Sequence, residues 1–288
     1  MIIVALKGGF GNQLFQYAAG LHLSNHFKVP VKVDTTLLDK PDPLIGTIRN
    51  FDLQHLQAPP TIATISEIQS VKGSTVIQFI EKFIPPYKRN VFKEVEFRYD
   101  TNFLKCKAAV YLKGYRQSEL YFKPIEKNIR DAFILKDELI RNVKKLAIKL
   151  AQLNSVAVHV RRSDYNKKGV KEYHGVLDET YYNQAIELAQ SKITNPIFYV
   201  FSDDSEWVQQ NLHFKAPVQF ITNKESTTAI SDFYLISNCK HQIIANSTFS
   251  WWAAWLNNYE NKIIIAPRQW FATAINTSDL IPSTWIRI

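Results

Sequence analysis

The chain has 288 residues, 46% hydrophobic and 21% charged, a balance that excludes a disordered or fibrous protein and leaves room for two packed α/β halves. A ratio of 35 basic to 26 acidic residues gives a net charge of +9, which favours anionic partners and says nothing of fold. Two cysteines, Cys106 and Cys239, are too few and too far apart for a disulfide framework or a metal-type spacing, and no apolar run reaches the roughly 18 residues that span a bilayer.

Residues 2–6 (IIVAL) read as a buried strand, followed at once by the glycine turn Lys7-Gly8-Gly9-Phe10-Gly11-Asn12-Gln13. Leu14, Tyr17, Ala18 and Leu21 then recur at helical spacing, so the chain opens strand, turn, helix. A second strand is expected at 29–34. Prolines at 41, 43, 59, 60, 85 and 86 break up residues 39–105, whose pattern gives no regular assignment. Residues 109–112 read as a strand that leads into Gly114-Tyr115-Arg116-Gln117.

Residues 136–153 are predicted to form one amphipathic helix, with Leu139, Val143, Leu146, Leu150 and Leu153 on one stripe. Arg141, Lys144, Lys145 and Lys149 take its other faces. Such a helix either packs on a sheet with its charges in water or lies on an anionic membrane surface. Beyond it, strands at 156–160, 197–201, 218–221, 242–245 and 262–266 alternate with helices at 178–190, 205–212, 232–238 and 250–257. Alternation of this kind makes a parallel sheet. The expected architecture is α/β, in two Rossmann-like halves with mostly parallel sheets, divided into 1–135 and 136–288.

Three polar clusters stand at strand ends of the second half. His159-Val160-Arg161-Arg162-Ser163-Asp164 ends the strand 156–160. A guanidinium pairs bidentately with phosphate and keeps its proton, so the pair marks an anion site. Strand alternation puts His159 and Arg161 on one face and Arg162 on the other, so one arginine would reach the anion while the other anchors the loop, with Asp164 as its candidate partner. The alternative is a surface arginine pair closed by a salt bridge. Phe201-Ser202-Asp203-Asp204 offers carboxylates to a ribose or guanine edge, or a cap for the next helix. Asn246-Ser247-Thr248-Phe249-Ser250-Trp251-Trp252 joins a strand to a helix, where hydroxyls cap and backbone N–H groups attract anions. Its bland alternative is capping alone, with Trp251 and Trp255 in the core. Convergence of three such clusters on one sheet edge argues for a binding site there. The opening glycines lack the third glycine of a dinucleotide fingerprint and read as a turn that lets backbone approach a ligand.

Taken in order, GGFGNQLFQYAAG, HVRRSDY, FSDD and NSTFSWWAAWLN resemble glycosyltransferase family 11, best known for α-1,2-fucosyltransferases, from residue 1 to the C-terminus. Ser163 stands where the family pattern usually has glycine, a difference in the loop and not in the arginines. The resemblance implies a GT-B-like fold with the donor, GDP-β-L-fucose, in the second half and a galactose-terminated glycan acceptor facing the first. It implies inverting transfer to the galactose 2-hydroxyl, without a metal or other cofactor, with a fucosyltransferase of another linkage or a transferase of another GDP-sugar as the alternative. Arg161 would clamp the GDP diphosphate, His159 and Asp203 or Asp204 would lie near guanine and ribose, and Ser247, Thr248, Phe249 and Ser250 would line the phosphates. Gly9, Phe10, Gly11, Asn12, Gln13 and His174 would meet the acceptor. The base that inversion calls for is not singled out among Asp164, Glu172 and His174, with the two carboxylates favoured. A nucleic-acid-binding alternative draws on the +9 charge and the basic-aromatic stretch 83–97, which Glu94 and Glu96 interrupt and which carries no nucleic-acid motif. With no basic signal-peptide region before its short apolar opening, the protein is expected in the cytoplasm, with peripheral attachment to the inner membrane face left open.

Overall fold

Ile2–Ala5 forms β1, and all four residues are buried. A strand covered on both faces belongs in the middle of a parallel sheet. In the computed structural model, which describes residues 1–41, 46, 48–163 and 169–288, β2 (Val31–Asp34), β3 (Val91–Lys93) and β4 (Val110–Lys113) join it in the order β2-β1-β4-β3, every pair parallel. The helix Phe10–Phe27 packs on this sheet through Gly20. A Cβ there would stand 2.4 Å from Val4 Cγ2 and 3.1 Å from Val31 Cγ2. Glycine weakens a helix, and here it is the condition for close approach to the strands.

The second sheet has six parallel strands: β5 (Ser155–Val160), β6 (Ile197–Ser202), β7 (Val218–Phe220), β8 (His241–Ile243), β9 (Ile264–Ala266) and β10 (Ile286–Arg287). Their order is β10-β9-β8-β5-β6-β7. Val156, Val158 and Val160 pack with Tyr182, Ile186 and Phe198 in its core. The predicted alternation is present throughout this half, and β10 is an addition that no periodicity announced.

The chain divides into two units, Met1–Ile134 with Asn276–Pro282 and Leu135–Ile275 with Ser283–Ile288. The tail is therefore shared between the units, whereas the sequence reading gave all of 136–288 to the second. Asp279 ties its stretch to the first unit by accepting the Tyr99 N–H at 3.0 Å, an attachment that leaves no periodic trace.

The helix expected over 136–153 is interrupted. Asp137–Ile140 and Lys144–Gln152 are α-helical, with the 3-10 turn Arg141–Val143 between them. A 3-10 turn aligns residues three apart, so Ile140 and Val143 are buried together and Ala147 and Leu150 continue the stripe. Leu139 and Leu146 are only half-buried. The apolar side packs against the helix Ala229–Asn238 inside the unit. Among the described residues no helix is long and apolar enough to cross a membrane. Both cysteines are buried free thiols.

Each sheet has one position where the winding reverses. In the first, β1 leads to β2 on one side while β4 lies on the other; in the second, β5 leads to β6 on one side while β8 lies on the other. Ligands of open α/β sheets bind at the carboxyl ends of strands where the order reverses. The glycine turn follows β1, and the arginine motif follows β5.

Candidate active site

His159 lies near the end of β5 and is 7% exposed. Its ring faces that of Phe249, at 5.6 Å between centroids and 33° between planes, so the arginine motif and the hydroxyl-rich helix start meet across the β5/β8 reversal. Phe249 in turn packs edge-on against Phe233 at 5.3 Å. Burial, and then the charge of Arg161, push the imidazole pKa down to about 3, so the ring is neutral at physiological pH. Its Nδ1 is buried and has no hydrogen-bond partner among the described residues. Such an atom costs about 1–3 kcal/mol and is an acceptor or donor waiting for a partner.

Arg161 and Arg162 part company at the strand end. Arg161 Nε stands 3.7 Å from Asp203 Oδ2, with both side chains about one-third exposed (34% and 30%). Arg162 lies with its guanidinium 3.7 Å from the Trp207 ring centre, donates from Nη1 to the Leu177 carbonyl at 3.1 Å, and meets Asp204 Oδ2 at 3.4 Å. Asp204 Oδ1 also accepts the Trp207 N–H at 3.3 Å and caps the helix Ser205–Asn211. Asp203 accepts the N–H groups of Arg162 at 2.9 Å and Ser163 at 3.2 Å, and the Ser163 hydroxyl donates to the Asp203 carbonyl at 2.7 Å. The ends of β5 and β6 are thereby stitched together.

On the β8 side, Ser247 caps the helix Thr248–Leu256 by accepting the Phe249 N–H at 3.3 Å. Thr248 and Phe249 are half-buried. Ser250 is fully buried and donates to the carbonyls of Ser247 at 3.3 Å and Ala245 at 3.5 Å. Asn246 Nδ2 donates to the carbonyls of His174 at 2.8 Å and Trp270 at 3.1 Å, which brings the segment around His174 beside the end of β8. The His174 ring packs against Phe271 at 5.6 Å. Glu172, exposed on the short helix Val170–His174, turns its carboxylate back to accept the Gly169 N–H.

At the β1/β4 reversal, Gly8 adopts φ +82, and a Cβ on it would fall 2.4 Å from Asn12 Nδ2. A Cβ on Gly9 would meet nothing nearer than Arg49 Nη1 at 4.0 Å, so backbone is open to a ligand there. Asn12 Oδ1 accepts from Gln117 Nε2 at 2.7 Å, joining the turns that follow β1 and β4. The Gln117 Oε1 is buried without a partner among the described residues. Asp52 accepts the Phe10 N–H at the start of the long helix; burial raises its pKa, against the opposing charges of His55 and Arg49 and that hydrogen bond.

A family model described as Glycosyl transferase family 11 matches residues 1–288. The chain belongs to glycosyltransferase family 11. An alpha-1,2-colitosyltransferase from Escherichia coli is 34% identical to it over 100% of this chain and 99% of its own. Galactoside alpha-(1,2)-fucosyltransferase 1 of Homo sapiens is 30% identical over 50% of this chain and 42% of its own. Among solved structures, a variant of Arabidopsis thaliana FUT1 in complex with GDP matches 92% of this chain and 70% of its own, with a TM-score of 0.55 and 10% identity. The family 11 chain thus has the GT-B-like fold, built from two units that each carry a parallel sheet.

Several residues of the family 11 motifs have structural work that their motif does not announce. Ser250 does not present its hydroxyl outward, because a serine in the first helical turn is satisfied by the carbonyls behind it. Gln13 is fully buried, with Nε2 donating to Gly8 O at 2.9 Å and Asn50 O at 2.8 Å, and Oε1 accepting the Asp52 N–H at 2.9 Å, so it fastens the turn. Phe10, 7% exposed, packs edge-on against His55 at 6.4 Å. Arg162 takes Asp204 and Trp207 as partners, and Asp164, the partner expected for it, lies outside the described residues. Trp251, Trp252 and Trp255 are core residues, with Trp251 and Trp255 stacked at 6.4 Å. Arg49, Asp52, His55 and Gln117 were missed as candidates. Arg49, Asp52 and His55 come from the stretch without periodicity, and only tertiary contacts bring them to the glycine turn. Among the described residues no group of three or more His, Cys, Asp or Glu is placed to hold a metal ion.

Proposed function

We propose that the chain is an inverting α-1,2-fucosyltransferase that moves L-fucose from GDP-β-L-fucose to the 2-hydroxyl of a terminal galactose in an oligosaccharide. The observation that carries this reading is the meeting, in a family 11 chain, of Arg161, the neutral His159 and the amino end of the helix Thr248–Leu256 at the β5/β8 reversal. An α-product from a β-donor requires attack on C1 from the face opposite the departing GDP. Negative charge then grows on the β-phosphate. Arg161 and the positive end of that helix stabilise it, and removal of one such donor raises a barrier by about 3–4 kcal/mol. His159 offers Nδ1 to the nucleotide, and Ser247, Thr248 and Phe249 border the phosphates with Asp203 holding the loop.

The first unit would receive the acceptor on the open backbone at Gly9, Gly11 and Asn12. Asp52, with its pKa raised, joins Asp164 and Glu172 as a candidate for the base that takes the acceptor proton. Because guanidinium supplies the positive charge at the diphosphate, a chelator should leave the rate unchanged. Two buried thiols suit a reducing compartment, which supports a cytoplasmic enzyme.

One observation favours a second donor. A relative matched over its full length is an alpha-1,2-colitosyltransferase, and colitose is L-fucose without its 3-hydroxyl. The test is a comparison of kcat/KM for GDP-fucose and GDP-colitose on a panel of galactosides, with the linkage read by NMR. A dominant GDP-fucose rate and a 1→2 product support the first reading. A dominant GDP-colitose rate replaces it with the second, and transfer of neither sugar overturns both.

A further inference from the structure

The helix Thr75–Ile80 buries none of its residues. Val76, Phe79 and Ile80 are 65%, 59% and 60% exposed, and Phe83 just beyond is 81% exposed. Phe79 and Phe83 meet edge-on at 6.1 Å, so these side chains form one patch and not scattered points. A soluble surface rarely leaves a contiguous group of large apolar side chains open without a use for it.

Bases outnumber acids along the segment 75–89, and Glu94 and Glu96 follow beyond it. Between residues 75 and 93 the bases are Lys82, Lys88, Arg89 and Lys93, and the only acid is Glu81. Glu81 is buried, where it accepts from Lys107 Nζ at 2.8 Å and from the Asn90 N–H at 2.8 Å, so it does not offset the exposed bases. Lys82 Nζ lies 5.2 Å over the Phe79 ring, its aliphatic stem joined to the apolar surface. Arg89 donates to the carbonyls of Ile84 at 2.9 Å and Lys82 at 3.1 Å, which fixes the turn that holds Phe83 outward.

Large apolar side chains rimmed by lysines complement a layer of anionic headgroups above acyl chains. A second copy seated on the same patch would set lysine against lysine, and single-stranded nucleic acid stacks on aromatic faces more than on valine and isoleucine. We propose that the segment 75–89 docks the protein on an anionic bilayer surface, with Phe79, Ile80 and Phe83 entering the headgroup boundary and Lys82 and Lys88 against lipid phosphates. The basic helix at 144–152, by contrast, turns Ala147 and Leu150 into the core.

The test is flotation of the full chain with phosphatidylcholine vesicles containing about a third phosphatidylglycerol, compared with phosphatidylcholine alone. The protein should float with the anionic vesicles, and Lys82→Glu/Lys88→Glu should weaken binding at least about twentyfold, from about fivefold per lysine near such a surface. Phe79→Ser/Phe83→Ser should release the protein as well. These side chains are exposed, so both variants should keep the wild-type melting temperature and its rise with GDP. Failure to float with anionic vesicles overturns the proposal, as does flotation that the phenylalanine variant retains. A dimer in sedimentation that the phenylalanine variant abolishes, without vesicle binding, assigns the patch to a second copy instead.

Discussion

Replacing Arg161 and Arg162 separately by alanine should give opposite phenotypes, although the two are adjacent and chemically identical. Arg162 donates to the carbonyl of Leu177 and covers the Trp207 ring, with its side chain only 15% exposed. A charged donor on a carbonyl contributes about 1.5–3 kcal/mol. The guanidinium on the indole adds about 0.5–2 kcal/mol. The Asp204 pair, about one-third exposed on the acidic side, adds no more than about 1 kcal/mol. These contacts share one side chain and do not sum, so a loss of about 2–4 kcal/mol is expected. At about 2–4 °C per kcal/mol for a domain of this size, Arg162→Ala should melt roughly 5–15 °C lower. Arg161 is 34% exposed, and ion pairs made at that exposure, the 3.7 Å one with Asp203 among them, are screened by water and contribute little to stability. Arg161→Ala should therefore melt close to wild type while losing about 100–1000-fold in kcat, the range for removing one donor to a developing negative charge. Calorimetry and a GDP-release assay at saturating donor measure both quantities. Full activity in a folded Arg161→Ala protein, or an unchanged melting temperature in Arg162→Ala, refutes the division of roles.

Gly20→Ala should destabilise by about 1–3 kcal/mol despite its better helix propensity, because the new methyl meets Val4; an increase in denaturation midpoint would sink that packing argument. Ser247→Ala should lose about 0.5–2 kcal/mol of capping in urea titration. Ser250→Ala should keep transfer within about threefold, since its buried hydroxyl is turned to the carbonyls of Ser247 and Ala245; a collapse in kcat/KM would put Ser250 back at the phosphates. His159 and His241 are held neutral, with pKa values of about 3 and about 4, by burial first and by Arg161 and Lys240 second. The unfolded chain binds these protons first, so stability is whole above about pH 6.5 and falls towards pH 4 and below by about 1.4 kcal/mol per pH unit for each ring. Urea midpoints that stay level between pH 7 and 5 would contradict this. Asp52→Asn should lower kcat and abolish the acidic limb of its pH profile, whereas an unchanged profile removes Asp52 from the candidate bases.

Much of the architecture was legible because its signals are local. Val156, Val158 and Val160 alternate, glycines follow the first strand, and hydroxyls precede Thr248, each within a few residues. The first half was less legible for an equally physical reason. β3 has three residues at a sheet edge, and its short neighbours are set by long-range pairing more than by periodicity. The helix over 136–153 illustrates the same limit, since a 3-10 turn rearranges which side chains share a face without altering composition.

The sequence by itself determined the chemistry available: two fixed positive charges at a strand end, a capped helix start, a glycine turn, and the family to which their order belongs. Only the tertiary structure decided which of those groups are taken up by particular carbonyls, N–H groups and rings of the fold. Arg162, Asp204, Ser250 and Gln13 sit in the same motifs as Arg161, His159 and Gly9, yet their polar atoms are taken up by Leu177, Trp207, Ala245 and Gly8. A motif names a side chain's capacity to bond. Where that capacity is spent depends on which buried carbonyls and N–H groups the fold brings within reach, because burying them unpaired costs more than a bond to solvent returns.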